Sequence, residues 1–240
     1  MSRHSKWSKV KQFKGAIDAK RSASFTKLAR EIAMAAREKG GDPNFNPRLR
    51  AAVDRAKEGS MPKENIERAI AKGAGGGEEG EIESLTYEAY APGGTALVIE
   101  ALTDNRNRAA SEIKHLLTEH DASLATSGSV TYLFDHVGVI RVPGRFPHDR
   151  VEELELGLIE AGAADIEEDG SDVEIRCAPN DLAKVAGVVM RAGLKTDIVE
   201  FQWIPKLMVE TDEEVGRGVA DLTEELEEHD DVSRVFSNLA

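Results

Sequence analysis

The sequence predicts a multidomain α+β protein, a basic helical unit followed by two units of alternating strands and helices. Three observations carry that expectation. Residues 1–72 hold 18 Lys and Arg against 8 Asp and Glu, about +10, whereas the remaining 168 residues hold 13 against 36, about −23. A glycine-rich run from Lys72 to Gly80 divides the two blocks. Across that run the apolar spacing changes from a helical period to short β-rich segments.

The helical unit comes first. Phe25, Leu28, Ala29, Ile32, Ala33 and Ala36 recur at helical spacing until Gly40 and Gly41 close the run. Asn46 can cap a second helix with Pro47 in its first turn, and Leu49, Ala52, Val53 and Ala56 supply its apolar face. Pro62 opens a third, with Ile66, Ala69 and Ile70 facing inward. The result is a three-helix bundle over 1–72, followed by a flexible Gly-rich linker over 73–81.

Beyond the linker, Leu85 to Ala91 and Thr95 to Thr103 read as strands joined by a tight turn at Pro92, Gly93 and Gly94. An amphipathic helix follows over 106–120, with Ala109, Ile113, Leu116, Leu117 and His120 on its buried side, then a strand over 129–134. Residues 137–203 read as strand 137–142, helix 148–161, strands 164–168 and 172–177, helix 180–192 and strand 196–203. That βαββαβ order is the ferredoxin-like arrangement. A strand at 206–210, a helix at 212–228 and a strand at 232–237 remain, and they complete a second ferredoxin-like unit with the elements at 95–134. The expected domains are therefore 1–72, then 82–135 together with 205–240, with 136–204 inserted.

Composition bounds the chemistry. At 240 residues, 40% hydrophobic and 31% charged, the chain has material for real cores. A single cysteine, Cys177, excludes an intramolecular disulfide framework and a Cys-based zinc site, and its alternating strand pattern predicts a buried structural thiol. No run approaches a membrane span, and Ser2 to Trp7 offer no apolar signal region, so a cytoplasmic protein is expected, without membrane contact. His4, His115, His120, His136, His148 and His229 form no pair at metal-ligand spacing on one helix face, and no nucleophile has an evident base. No cofactor, metal or catalytic residue is expected.

The basic residues point to phosphate. Positions 1–30 hold nine Lys and Arg against the single acid Asp18. Arg3, His4, Lys6, Lys9, Lys11, Lys14, Lys20 and Arg21 surround Trp7 and Phe13, pairing cations for phosphate with rings on which a base can stack. Lys27, Arg30 and Arg37 lie on one side of the first helix, Arg48, Arg50 and Arg55 follow on the second, and Lys63 opens the third. The competing explanation is a solvated helix surface with both rings packed on the bundle. Asp104, Asn105, Arg106, Asn107 and Arg108 form a possible secondary polar site at a strand-to-helix junction, where capping is the competing account.

These residues also carry a resemblance. His4-Ser5-Lys6-Trp7, Phe25-Thr26-Lys27-Leu28, Gly40-Gly41-Asp42-Pro43, Asn46-Pro47-Arg48-Leu49-Arg50, Met61-Pro62-Lys63, Asn65 to Ile70, Leu102 to Arg108, Gly128-Ser129-Val130 and Trp203-Ile204-Pro205 resemble the YebC family over almost the whole chain. Arg3, Ala89, Ala91 and Ala109 stand where that family commonly has Gly, Gly, Gly and Thr. The resemblance implies a helical domain followed by two α/β domains. It also implies one of two activities, DNA-binding transcriptional regulation or, through the mitochondrial translational activator of cytochrome c oxidase and bacterial relatives, help for ribosomes slowed at proline-rich stretches.

The bundle shows no positioning-and-recognition helix pair, and a basic arm with aromatics suits irregular RNA. The expected function is therefore a non-enzymatic, ribosome-associated translation factor that binds ribosomal RNA. Its acidic body would contact basic ribosomal proteins. DNA-binding regulation is the alternative, and an enzyme acting on RNA the third.

Overall fold

A computed structural model describes residues 24–76, 82–169 and 171–240. Helix α1 covers 24–39, α2 is Pro47–Glu58 and α3 is Lys63–Ala71. Ile32, Leu49, Ala52, Ala56, Ile66 and Ala69 bury against one another, so the apolar positions expected from periodicity form the core of this unit. Asn46 clasps two helices at once. Its Oδ1 accepts the Leu49 N–H at 3.0 Å to cap α2, while its Nδ2 donates to the carbonyls of Ala35 and Gly40 at the end of α1.

The glycine run is partly built. Lys72–Gly76 continues α3 as a wide turn, and a Cβ on Gly73 would lie 2.0 Å from the Ala33 carbonyl oxygen. Gly73 thus lets α3 and its turn lie directly on the α1 backbone. Residues 77–81 of the expected linker lie outside the described residues.

Two four-stranded antiparallel sheets follow. Strands β1, Glu83–Ala91, and β2, Thr95–Thr103, pair over their full length, and α4, Arg106–Glu119, packs on them. A short β3, Ser123–Leu124, extends β1. Next come β4, Phe134–Val142, α5, Val151–Ala161, β5, Ala163–Asp169, β6, Asp172–Cys177, α6, Leu182–Arg191, and β7, Ile198–Pro205. Helix α7, Glu213–Glu228, and strand β8, Val232–Ser237, close the chain. The sheet orders are β3-β1-β2-β8 and β5-β6-β4-β7, so every strand of the second sheet lies in the chain between β3 and α7. Within 134–205 the βαββαβ element order is the expected one.

Two expected strands are corrected. Residues 129–133 form a turn, and Phe134 instead opens β4. Glu88 is the cause: this 5% exposed carboxylate accepts the backbone N–H groups of Gly128, Val130 and Thr131 at 2.6, 2.6 and 2.8 Å, withdrawing them from any ladder. Residues 206–210 make only the bridge Val209 to Leu239. The place beside β2 is taken by β1, whose three-residue connection makes their pairing nearly free of loop-closure cost.

Each sheet has its own core. Leu97, Ile99, Ile113, Leu117, Leu222 and Leu226 fill the first, and Ile140, Leu158, Ile175, Val185 and Val199 the second. Ala51 of α2 joins the second core, seating the helical unit against α6 and β7. Ala89, Ala91 and Ala109 are buried, so these departures from the family pattern alter packing more than surface contact. No described helix is long and apolar enough to cross a membrane.

Candidate nucleic-acid interface

Arg3, His4, Lys6, Trp7, Lys9, Lys11, Lys14, Lys20 and Arg21 lie outside the described residues. The other expected phosphate contacts can be placed, and most of them face the acidic body. On α1, Lys27 Nζ donates to the Glu227 carbonyl in the last turn of α7, and burial pushes its pKa down against the nearby Asp230 and Glu227. One turn on, Arg30 pairs with Asp231 at 2.9 Å and donates to the Asp230 carbonyl. Arg37 donates to the Ile82 carbonyl at 3.0 Å. The helix C-terminus of α7 is negative, so cations there gain from the dipole as well as from the carboxylates.

On α2, Arg55 bridges Glu31 at 2.9 Å and Glu200 at 3.1 Å, and Arg234 also reaches Glu200. Arg48 pairs with Glu38 and lays its guanidinium over the Phe201 ring, 5.1 Å from the centroid. Arg50 meets only a neutral acceptor among the described residues, Asn44 Oδ1 at 2.9 Å. Lys63 is 87% exposed beside Glu67. The cations read from the sequence therefore fall into two groups. Lys27, Arg30, Arg37, Arg48 and Arg55 bind the helical unit to the body or to itself, whereas half-buried Arg50 meets no acid among the described residues and Lys63, joined by exposed Lys39 and Arg68, faces solvent.

The Asp104 to Arg108 cluster is largely a helix cap. Thr103 Oγ1 accepts the Asn105 N–H at 3.0 Å, and Asn105 Oδ1 accepts the Arg108 N–H at 3.1 Å. Arg108 pairs with Asp104 at 3.0 Å and with Asp231 at 2.9 Å, and its hydrogen bond holds the Asp104 carboxyl below the usual range. Arg106 and Asn107 stay exposed. Asp104 shares a cleft with Phe25, Arg30, Asn65, Arg68 and Lys72, so the fold brings the secondary polar site against the helical unit.

Sequence reasoning missed the acceptors. Asp231, 1% exposed, receives Arg30, Arg108 and the Thr103 hydroxyl. Glu200 receives Arg55 and Arg234, and neither acid carries a local motif. Glu112, His229 and Asp231 also gather their polar atoms within 4.8 Å. His229 Nδ1 accepts the Asp231 N–H, which leaves its Nε2–H to meet Glu112 at 3.0 Å. The lone pairs of His229 and Asp231 that would face a cation are already taken by donors. Cys177 is 1% exposed, and burial pushes its thiol up to about 11, which suits a structural thiol and not a nucleophile.

These features define a class of protein in which a cationic helical unit is docked by charge onto two acidic antiparallel α/β sheets. A family model described as the TACO1/YebC protein N-terminal domain matches residues 5–76, and one described as the TACO1/YebC second and third domain matches 82–239. The chain belongs to the TACO1/YebC family. It is 47% identical to a probable transcriptional regulatory protein of Rubrobacter xylanophilus, over 99% of this chain and 95% of that one. A protein with the same description from Pelotomaculum thermopropionicum is 44% identical, over 99% and 98%. The crystal structure of a conserved hypothetical protein from Aquifex aeolicus, 43% identical, superposes with a TM-score of 0.77 over 93% of this chain and 92% of that one.

Proposed function

We propose that this protein is a non-enzymatic, nucleic-acid-binding regulator of gene expression that acts in the cytoplasm on ribosomal RNA. The observation that carries the reading is the +10 balance of residues 1–72 on a chain of net charge −13. After docking, Lys39, Lys63 and Arg68 still face solvent from the helical unit. The unit at 1–72 is the binding domain in this reading, 82–135 with 205–240 a second, and 136–204 an inserted third. The acidic body is free to meet basic ribosomal proteins. A second reading, DNA-binding transcriptional regulation, is favoured by the description shared by the Rubrobacter and Pelotomaculum relatives.

Sequencing nucleic acid crosslinked to the protein in cells separates the two. Ribosomal RNA is the expected catch, and recovery of promoter DNA instead would establish the second reading. In solution, six to ten phosphate contacts on duplex DNA make affinity fall by roughly 10³ to 10⁵ between about 50 and 200 mM salt, with a shallower slope on single strands. A salt-insensitive complex would rule out phosphate binding by this surface.

A further inference from the structure

A cavity opens between α2, α6 and β7. It holds about 360 Å³, the size of a small-molecule site. Its wall is apolar where Leu182, Val199 and the Phe201 ring meet, with Leu182 and Val199 almost fully buried. The Arg48 guanidinium lies over the same ring, 5.1 Å from its centroid, and is held there by Glu38, so ring and guanidinium form one stacked pair in the cavity wall. Lys39 and Asn180 stand exposed at its rim, and neither side chain is engaged by a hydrogen bond or ion pair among the described residues.

That combination matches the chemistry of an unpaired nucleotide. Flat apolar and guanidinium surfaces stack on a base, an amide offers both donors and an acceptor to a base edge, and an ammonium pairs with phosphate. We propose that this cavity receives one unpaired base of a single-stranded RNA. The base stacks against the Phe201–Arg48 pair, Asn180 reads its edge and Lys39 takes its phosphate. The inference rests on the nucleic-acid reading above and deepens it by naming where a base enters. The helical unit supplies Lys39 and Arg48 and the second sheet unit supplies Asn180 and Phe201, so the site exists only while the two are docked.

The test uses the full chain and a fluorescent single-stranded RNA of mixed sequence, read by anisotropy. A matched strand with abasic sugars and a free mononucleotide serve as further probes. Ala183 lies exposed on the rim in the first turn of α6, so Ala183→Trp blocks the mouth while leaving the core intact. Ala183→Trp is expected to weaken binding of the intact strand by roughly 5- to 150-fold, the range for one stacked base, with Tm unchanged and no loss on the abasic strand. Asn180→Ala is expected to weaken binding of the intact strand only, and Lys39→Ala to weaken both strands. Wild-type affinity in Ala183→Trp and Asn180→Ala overturns the site while leaving the nucleic-acid reading intact. Equal loss on the abasic strand assigns the effect to the backbone and also overturns it. Tight binding of the free mononucleotide shows that the cavity serves a small molecule, and failure of the wild-type chain to bind any strand removes both readings together.

Discussion

Glu88 shows what a single carboxylate does to the local chain. Burial raises its pKa, and the N–H groups of Gly128, Thr131 and Val130 more than offset this, so the group ends below its ordinary value of 4.5. A carboxylate whose folded pKa is depressed contributes stability that is present above the ordinary value and lost as pH falls through the folded one. Glu88→Gln is therefore expected to cost about 1–3 kcal/mol at neutral pH by urea unfolding. The gap should close as the pH falls below the ordinary glutamate value, and a gap that stays constant into acid would assign the effect to shape. Glu88 also marks a limit of local reading. The Asn46 cap was legible because cap and helix are neighbours, but the turn at 129–133 was not, because the group that commands its N–H donors lies about 40 residues upstream.

Among the elements, the turn after α3 lies directly on the α1 backbone at Gly73. A Cβ there would sit 2.0, 2.7 and 2.8 Å from three backbone atoms of Ala33, so accommodating it requires α3 and its turn to move away from α1. Gly73→Ala should destabilise the helical unit by about 1–3 kcal/mol, as other overpacked sites do, with Gly75→Ala costing less because its Cβ meets nothing within 4 Å and only its φ of +95° opposes it. Thermal melts of the two variants decide this, and equal melts would show that the turn yields freely. Glycine after glycine reads as a flexible tether, yet one of them is a packing requirement, and only the position of Ala33 reveals which. The β1–β2 hairpin and the βαββαβ element order were legible for the opposite reason, since a short turn sets the hairpin pair side by side and local periodicity marks each strand and helix of the run. The failed strand at 206–210 lost its place to β1, a competition between segments more than a hundred residues apart.

Across the whole molecule, charge segregation has two uses. Lys27, Arg30 and Arg55 hold the helical unit on Asp230, Asp231 and Glu200, so part of the positive block is committed inside the protein. Residues 1–23 carry seven further Lys and Arg. A chain beginning at residue 24 lacks these seven cations. Its nucleic-acid affinity should fall, with the salt slope shallower by about 0.9 for each phosphate no longer neutralised on duplex DNA and about 0.7 on single strands. Undiminished binding by that chain would move the interface onto the described units. The block of charge was legible from composition alone. Which cations are spent internally was not, because Asp231 and Glu200 stand some 145 to 200 residues from their partners.

The strands that flank the second sheet have a consequence for how the chain is made. Phe134 and Pro205 are register partners, and Lys206 donates its N–H to the Leu133 carbonyl, so the chain leaves the first sheet and returns to it through a single doorway. Between those two points it builds a sheet with its own core. The first sheet, begun at β1, lacks α7 and the edge strand β8 until the last thirty or so residues have left the ribosome. Synthesis from the N-terminus therefore finishes the later sheet before the earlier one. Leu97 and Ile99 must wait, with one face uncovered, for Leu222 and Leu226 to arrive.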